Sequence, residues 1–168
     1  AVVVAAGYAR RMEGIDKMFA PLGELPVLVH TLYAFQDCPL VDEIVLVTRE
    51  ELLVEAGRLC KDFSLNKVTK VIVGGAERIH SVQAGLGEVN SGAALIAIHD
   101  GARPLVSQRV LEEAITRASV TGAAAPAVPV TDTIKRGEDG LAVETVDRSQ
   151  LWAVQTPQVF ESGLIRAA

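Results

Sequence analysis

The first seven residues, Ala-Val-Val-Val-Ala-Ala-Gly (residues 1 to 7), form an apolar run that ends in small side chains. The run lacks the alternation of apolar and polar residues that marks a half-exposed strand, so it predicts a strand buried on both faces. Strands of this kind are typical of parallel sheets that helices cover on both sides. The stretch that follows, up to Lys17, is rich in charge and predicts a loop.

Similar short runs of β-branched and aliphatic residues recur along the chain and predict further buried parallel strands, at residues 44 to 47, 71 to 73 and 95 to 98. Helix-length segments lie between them, at residues 26 to 35, 50 to 61 and 77 to 88, with Pro26 at a position that suits the first helical turn. The order βαβαβαβ predicts an α/β domain, Rossmann-like and doubly wound, with a mostly parallel sheet and helices on both faces.

The second half of the chain has a different pattern. From Ser107, which is placed to cap a helix, apolar side chains recur at helical spacing as far as Ala118. Residues 123 to 130 predict a strand whose two prolines suggest an edge or irregular course. Residues 131 to 156 contain a Gly-Glu-Asp-Gly turn between two extended stretches, which predicts a protruding β-hairpin arm. Such an arm is too small to be stable alone, so a second subunit is one candidate for its packing partner.

Composition excludes several classes of function. The net charge of −5 provides no basic face for nucleic-acid binding, so an anionic ligand would need a local basic pocket. No apolar run approaches the roughly 20 residues that span a bilayer, so we expect a cytoplasmic protein that binds neither membrane nor nucleic acid. Cys38 and Cys60 lack metal-like spacing and are expected to be reduced thiols.

In a doubly wound sheet, ligands bind beyond the carboxyl ends of the strands, so the loops at those ends are the candidate site. The first loop, residues 5 to 17, combines small residues with Arg10, Arg11 and Lys17, a combination that resembles an anion cradle. It is neither a Walker loop nor a dinucleotide fingerprint. Taken alone, a tight turn with solvated arginines explains it as well.

Two further loops carry chemistry. Gly-Gly-Ala-Glu-Arg-Ile-His-Ser, residues 74 to 81, has glycines that permit positive φ and close ligand approach, and Ser81 could hydrogen-bond a base or ribose. The alternative is an ordinary strand-to-helix turn. In His-Asp-Gly-Ala-Arg-Pro, residues 99 to 104, Asp100 could hold a metal or a substrate hydroxyl and Arg103 a phosphate. The alternative there is an internal Asp100 to Arg103 ion pair. We expect the three histidines, His30, His80 and His99, to be packed or structural rather than ligands.

Six ordered motifs resemble those of the 2-C-methyl-D-erythritol 4-phosphate cytidylyltransferase family. They are Ala-Ala-Gly-x-x-x-Arg-Met with Lys17, Gly-Gly-x-x-Arg-x-x-Ser (74 to 81), His-Asp-x-Ala-Arg-Pro (99 to 104), Val-Thr-Asp-Thr-Ile-Lys (130 to 135), Thr-Val-Asp-Arg (145 to 148) and Leu-Trp-x-x-Gln-Thr-Pro-Gln (151 to 158). No single motif would be specific, but six in order with compatible spacing are a strong signal.

The resemblance implies an enzyme that transfers CMP from CTP to a small sugar-alcohol phosphate and releases pyrophosphate in isoprenoid precursor synthesis. It implies Arg11 and Lys17 as the catalytic residues that stabilise the reacting phosphates. It also implies Mg²⁺ or another divalent cation, held mainly by the CTP phosphates with Asp100 as a candidate ligand. The residues expected to contact the cytidine part are Ala5, Ala6, Gly7, Gly75 and Ser81.

On the acceptor side, the resemblance implies roles for Asp100, Arg103 and Thr156. Thr133 and Arg148 match residues that the family's arm offers to the neighbouring subunit's substrate, which implies a homodimer formed through the arm. Family members typically continue past this chain's last residue. We therefore expect a single nucleotidyltransferase domain over residues 1 to 168 that lacks its C-terminal part.

Two alternatives remain open at this stage. A ribitol 5-phosphate cytidylyltransferase would share the nucleotide loops and differ in its acceptor. A nucleotide-binding module without catalysis is the alternative from another class, although Arg11 and Lys17 disfavour it because a pure binder has less need of charge directed at phosphates.

Overall fold

The computed structural model describes residues 1–7 and 17–168. Its strands are β1 (Val2–Val4), β2 (Pro21–Leu22), β3 (Leu25–Pro26), β4 (Ile44–Thr48), β5 (Val68–Val73), β6 (Leu95–Asp100), β7 (Ala123–Ala124), β8 (Ala127–Pro129), β9 (Lys135–Glu138), β10 (Leu141–Thr145), β11 (Trp152–Val154) and β12 (Gln158–Glu161). Its α-helices are α1 (Val27–Gln36), α2 (Leu53–Asp62), α3 (Arg78–Glu88), α4 (Gln108–Thr121) and α5 (Ser162–Ala167). Short 3-10 turns occupy Glu50–Leu52 and Arg148–Gln150.

The central sheet has the strand order β5-β4-β1-β6-β12-β7. The first four strands are parallel, and β12 runs antiparallel between β6 and β7. Alternate side chains enter two separate cores: Val3 packs with α1, α2 and α4, whereas Val2 and Val4 pack on the other face with α3 and α5. The mostly parallel, doubly wound sheet with helices on both faces is therefore confirmed.

Local boundaries agree with the sequence prediction at some ends and differ at others. The Val110 amide donates to the Ser107 hydroxyl at 3.3 Å, which confirms the predicted cap of α4. Pro26 is not in the first turn of α1: it has an extended backbone and pairs with Pro21 in the small β2-β3 hairpin. The prediction that residues 71 to 73 form a buried strand is wrong in its burial, because β5 is an edge strand in which Val71 and Ile72 are partly buried and Val73 is exposed.

Residues 123 to 130 follow the irregular course that their prolines suggest. They divide into β7, which joins the central sheet, and β8, which pairs with β11 in a separate ribbon. β9 and β10 form the predicted antiparallel hairpin. These ribbons leave large apolar side chains exposed, namely Val128, Leu141, Val143, Trp152 and Val154. Among the described residues, no helix is long and apolar enough to span a membrane.

Gly85 allows α3 to lie close against the sheet. A Cβ at this position would be 2.4 Å from Val2 Cγ1 and 3.1 Å from Val47 Cγ2, whereas a Cβ at Gly87, in the same helix, would meet no atom within 4 Å. We expect Gly85→Ala to lower the free energy of unfolding by about 1 to 3 kcal/mol through overpacking. Gly87→Ala should be neutral or raise it by up to about 1 kcal/mol, since alanine favours helix.

Chemical denaturation of the two variants measures both effects. Equal stabilities of the Gly85→Ala and Gly87→Ala proteins would contradict the proposed close contact between α3 and β1.

Candidate active site

The loops after β1, β5 and β6 surround a cleft of about 570 Å³ at the carboxyl ends of these strands. The residues that line it are Val4, Ala6, Gly7, Lys17, Met18, Gly75, Ala76, Glu77, Arg78, Ser81, Asp100, Ala102 and Arg103. The structure therefore brings together most of the nucleotide-side residues predicted from the sequence and two of those predicted for the acceptor side. Arg11 lies outside the described residues.

Ala5 is placed differently from its neighbours. It is buried, its amide donates to the Val47 carbonyl at 2.7 Å, and it does not line the cleft. Ala6 and Gly7 follow it into the cleft wall. Ala5 thus anchors the start of the loop to β4.

Ser81 shapes the second loop from inside. It is buried one turn into α3, and its hydroxyl oxygen lies 3.2 Å from the Gly75 amide and 3.3 Å from the Glu77 carbonyl. A Cβ at Gly74 would lie 2.6 Å from this oxygen, and one at Gly75 would lie 2.3 Å from the Cβ of His80. Neither glycine has positive φ, so the positive-φ part of the sequence argument is wrong. Glycine is needed because α3 packs too close to leave room for a side chain.

Asp100 ends β6 between two arginines. Its Oδ1 accepts from Arg78 Nε and its Oδ2 from Arg103 Nε, each at 3.0 Å. Burial alone would raise the pKa of Asp100, but the hydrogen bonds and charges of Arg78 and then Arg103 outweigh it and hold the pKa below its ordinary value. The ion pair considered as the alternative for the 99 to 104 loop is therefore present, with a second arginine added.

His99 supports this loop from the core. It is fully buried, its ring packs against Phe35, and Nε2 lies 3.1 Å from the Arg103 carbonyl. A carbonyl oxygen only accepts, so Nε2 carries the proton, and Nδ1 is buried without a partner among the described residues. Burial lowers the pKa of His99. The structural role is confirmed for His99, whereas His80 is exposed and so not packed as predicted.

The remaining predicted residues lie outside the cleft. Thr156 is buried beside it, and its hydroxyl oxygen is 3.5 Å from the Asp100 amide. Thr133 and Arg148 are exposed on the arm, where Arg148 Nη1 donates to the Thr131 carbonyl at 2.6 Å. Neither arm residue lines this cleft.

Sequence reasoning missed three polar side chains at this end of the sheet. Arg78 donates to Gln158 Oε1 at 3.3 Å as well as to Asp100, and Arg103 donates to Gln155 Oε1. All three missed residues, Arg78, Gln155 and Gln158, stand inside the quoted motifs but were assigned no role. The motifs specify these three residues, but the sequence alone does not show which side chains they contact.

Because neutral His99 is favoured in the folded protein, the unfolded chain binds more protons below the ordinary pKa of 6.5. The free energy of unfolding is therefore highest above pH 6.5, and it decreases as the pH falls through the lowered pKa of His99 in the folded protein. We expect the thermal unfolding midpoint to decrease as the pH is lowered from about 7.5 to about 5.5. The substitution His99→Gln should make the midpoint depend less on pH.

The control for this prediction is His80→Gln, which alters an exposed histidine. The comparison uses the change of midpoint with pH, so a lower absolute midpoint of the His99→Gln protein does not affect it. An unchanged pH dependence in His99→Gln would contradict the prediction.

Comparisons with known proteins show the family to which this chain belongs. The sequence model of the 2-C-methyl-D-erythritol 4-phosphate cytidylyltransferase (IspD) family matches residues 1–168. The enzyme of that name from Dehalococcoides mccartyi (strain CBDB1) is 46% identical over 169 residues, which cover 100% of this chain and 74% of the relative. The one from Symbiobacterium thermophilum is 49% identical over 169 residues, covering 99% and 70%.

Solved structures give the same answer. The 4-diphosphocytidyl-2C-methyl-D-erythritol synthase of Anaerococcus prevotii superposes with a TM-score of 0.84 at 26% identity, covering 99% of this chain and 72% of that one. The 2-C-methyl-D-erythritol 4-phosphate cytidylyltransferase of Thermus thermophilus superposes with a TM-score of 0.76 at 31% identity, covering 99% and 72%. The chain therefore belongs to the 2-C-methyl-D-erythritol 4-phosphate cytidylyltransferase family.

Proposed function

We propose that this protein transfers CMP from CTP to 2-C-methyl-D-erythritol 4-phosphate and releases pyrophosphate, as a step in isoprenoid precursor synthesis. Membership of the family supports this activity. The observation that carries it is the cleft itself, which is lined by Lys17, by residues of the Gly75 to Ser81 loop and by Arg103. A nucleoside triphosphate and a second phosphate require groups of this kind: a cation, a tightly shaped glycine loop and a guanidinium.

The reaction needs positioning and charge compensation more than proton transfer. The attacking group is a phosphate oxygen of the acceptor, which is already an anion at neutral pH, so no general base is required. The oxygen attacks the α-phosphorus of CTP in line, and the bond to the pyrophosphate oxygen breaks. Lys17, together with Arg11, would stabilise the charge that develops on the phosphates.

The two substrates would occupy different parts of the cleft. Ala6, Gly7 and Gly75 line the cleft and would contact the nucleotide through their backbone, and Ser81 holds the shape of its loop by hydrogen bonds. Ala5 would act by fixing the loop rather than by contact. On the other side, Asp100 and Arg103 would face the acceptor, with Thr156 next to them.

The donor set fits a divalent cation that is held mainly by the substrate. Mg²⁺ prefers oxygen ligands and is often bound through one or two carboxylates plus phosphates. Asp100 and Glu77 both line the cleft, and the described residues contain no group of three candidate ligands. Such a cation would neutralise phosphate charge when bound. Asp100 would have to exchange part of its pairing with Arg78 or Arg103 to contact it.

We also propose that the protein is a homodimer formed through residues 131 to 156. The exposed apolar side chains of the arm support this, since Trp152 is 59% and Leu141 70% exposed in the single chain. In the dimer, Thr133 and Arg148 would serve the acceptor of the neighbouring subunit. The free, buried Cys38 and Cys60 support a cytoplasmic location.

Pyrophosphate release tests the proposed activity. The protein is incubated with CTP, Mg²⁺ and either 2-C-methyl-D-erythritol 4-phosphate or ribitol 5-phosphate. We expect release with the first acceptor alone. Release with ribitol 5-phosphate alone would move the protein to the sister activity, and CTP binding without release would favour a nucleotide-binding module.

Lys17→Ala should lower kcat by roughly 10² to 10³, as expected for the loss of one preorganised cation at the reacting phosphates. The fold should be retained, because Lys17 lies on the cleft wall. The matched control is Lys61→Ala, an exposed lysine on α2. Turnover of Lys17→Ala within tenfold of the unaltered protein would remove this role from Lys17.

Arg148→Ala should raise the KM for the acceptor more than the KM for CTP, because the arm is proposed to serve the acceptor. Arg136→Ala is the control: this arm arginine pairs with Glu138 and Glu144 within the hairpin. Steady-state kinetics with each substrate varied in turn measures both constants. Equal increases for the two substrates would count against the assignment.

A further inference from the structure

A connected set of polar side chains, which we name the Asp100 network, is centred on Asp100, which lines the cleft with Arg78 and Arg103. Asp100 accepts from Arg78 and from Arg103 through different carboxylate oxygens, each at 3.0 Å. Arg78 Nη2 then reaches Gln158 Oε1 at 3.3 Å, and Arg103 Nη1 donates to Gln155 Oε1. Each guanidinium thus spans from the carboxylate to one glutamine.

The Asp100 network joins three segments that carry different parts of the site. Arg78 is the first residue of α3, which also carries Ser81 and follows the nucleotide loop. Asp100 is the last residue of β6. The two glutamines flank Thr156, whose hydroxyl oxygen lies 3.5 Å from the Asp100 amide. Arg78 is the member of the Asp100 network that connects the nucleotide loop to the acceptor side.

The Asp100 network contributes little to the free energy of unfolding. The side chains of Arg78, Asp100 and Arg103 are 48%, 30% and 45% exposed. Ion pairs with this degree of exposure add little to the free energy of unfolding. What a guanidinium adds is geometry, since its planar fork fixes two acceptors relative to each other and a lysine ammonium does not.

We propose that Arg78 is a positioning residue that holds the acceptor side of the cleft in register with the nucleotide side. It acts through Asp100 and Gln158, and thereby through Thr156, so that the acceptor phosphate is aligned with the α-phosphorus of CTP. The inference rests on the proposed cytidylyltransferase activity. Small errors in such alignment slow a reaction between two bound substrates far more than they weaken the binding of either one.

Arg78→Lys tests this role because it keeps the charge and removes the fork. We expect kcat to fall by about tenfold or more, while the dissociation constant for CTP alone, measured by calorimetry, stays within about threefold. The thermal unfolding midpoint should match that of Arg109→Lys, a control that alters an exposed ion pair with Glu113 on α4. Gln158→Leu removes the other end of the same contact and should lower kcat in the same direction.

The double variant Arg78→Lys, Gln158→Leu separates positioning from two independent effects. Both substitutions break the same contact between Arg78 and Gln158, so the double variant should lose little more than the worse single variant. If the losses of kcat in the two single variants multiply in the double variant, the inference is overturned, and the proposed function is not affected. The same holds if the kcat of Arg78→Lys equals that of the Arg109→Lys control. An unaltered protein that releases no pyrophosphate would overturn the proposed function and the inference with it.

Discussion

Backbone hydrogen bonds at the carboxyl ends of the parallel strands hold the whole site together. The Ala5 amide donates to Val47, the Gly74 amide to Thr48 and the Gly101 amide to Val4, at 2.7 to 2.8 Å. In each case the donor is the first residue after the end of its own strand, so the bond extends the pairing of that strand with its neighbour by one residue. As a result, the three loops leave the same edge of the sheet from points fixed by hydrogen bonds, and side chains far apart in sequence meet in one cleft. The two-sided core underneath keeps those points in place, because alternate residues of β1 are buried in opposite layers.

The acidic composition gives this local geometry its electrostatic meaning. With a net charge of −5, the protein as a whole repels anionic substrates, so attraction must come from the few cations that the loops gather. In the described part of the cleft these are Lys17, Arg78 and Arg103. Asp100 reduces their summed charge but fixes the direction of both arginines. Positive charge held in a defined direction serves a transfer between two phosphates better than mobile charge, since it needs no reorganisation during the reaction.

The fold was largely predictable because burial on two faces leaves a direct trace in sequence. The apolar runs of β1, β4 and β6 predicted those strands, while β5 was predicted too short and too buried because the sequence does not reveal which strand is outermost. The cleft was predictable as a set of loops, since motif order located Lys17, Ser81 and Asp100. The pairing of Arg78 with Asp100 was not, because residues 22 positions apart meet through the strand order β5-β4-β1-β6, which local patterns do not encode.

The arm follows a different logic from the cleft. Its hairpin was predicted from the Gly-Glu-Asp-Gly turn, yet the single chain leaves its apolar side chains exposed and its two predicted acceptor residues away from the cleft. Thr133 and Arg148 can therefore act on an acceptor only at a cleft other than this one or after a change of the arm's position. The homodimer proposed above would account for both features, because a second subunit would cover the apolar surface and present a cleft to the arm. In the proposed dimer the nucleotide half of the site would belong to one chain, and the acceptor half would be completed by assembly.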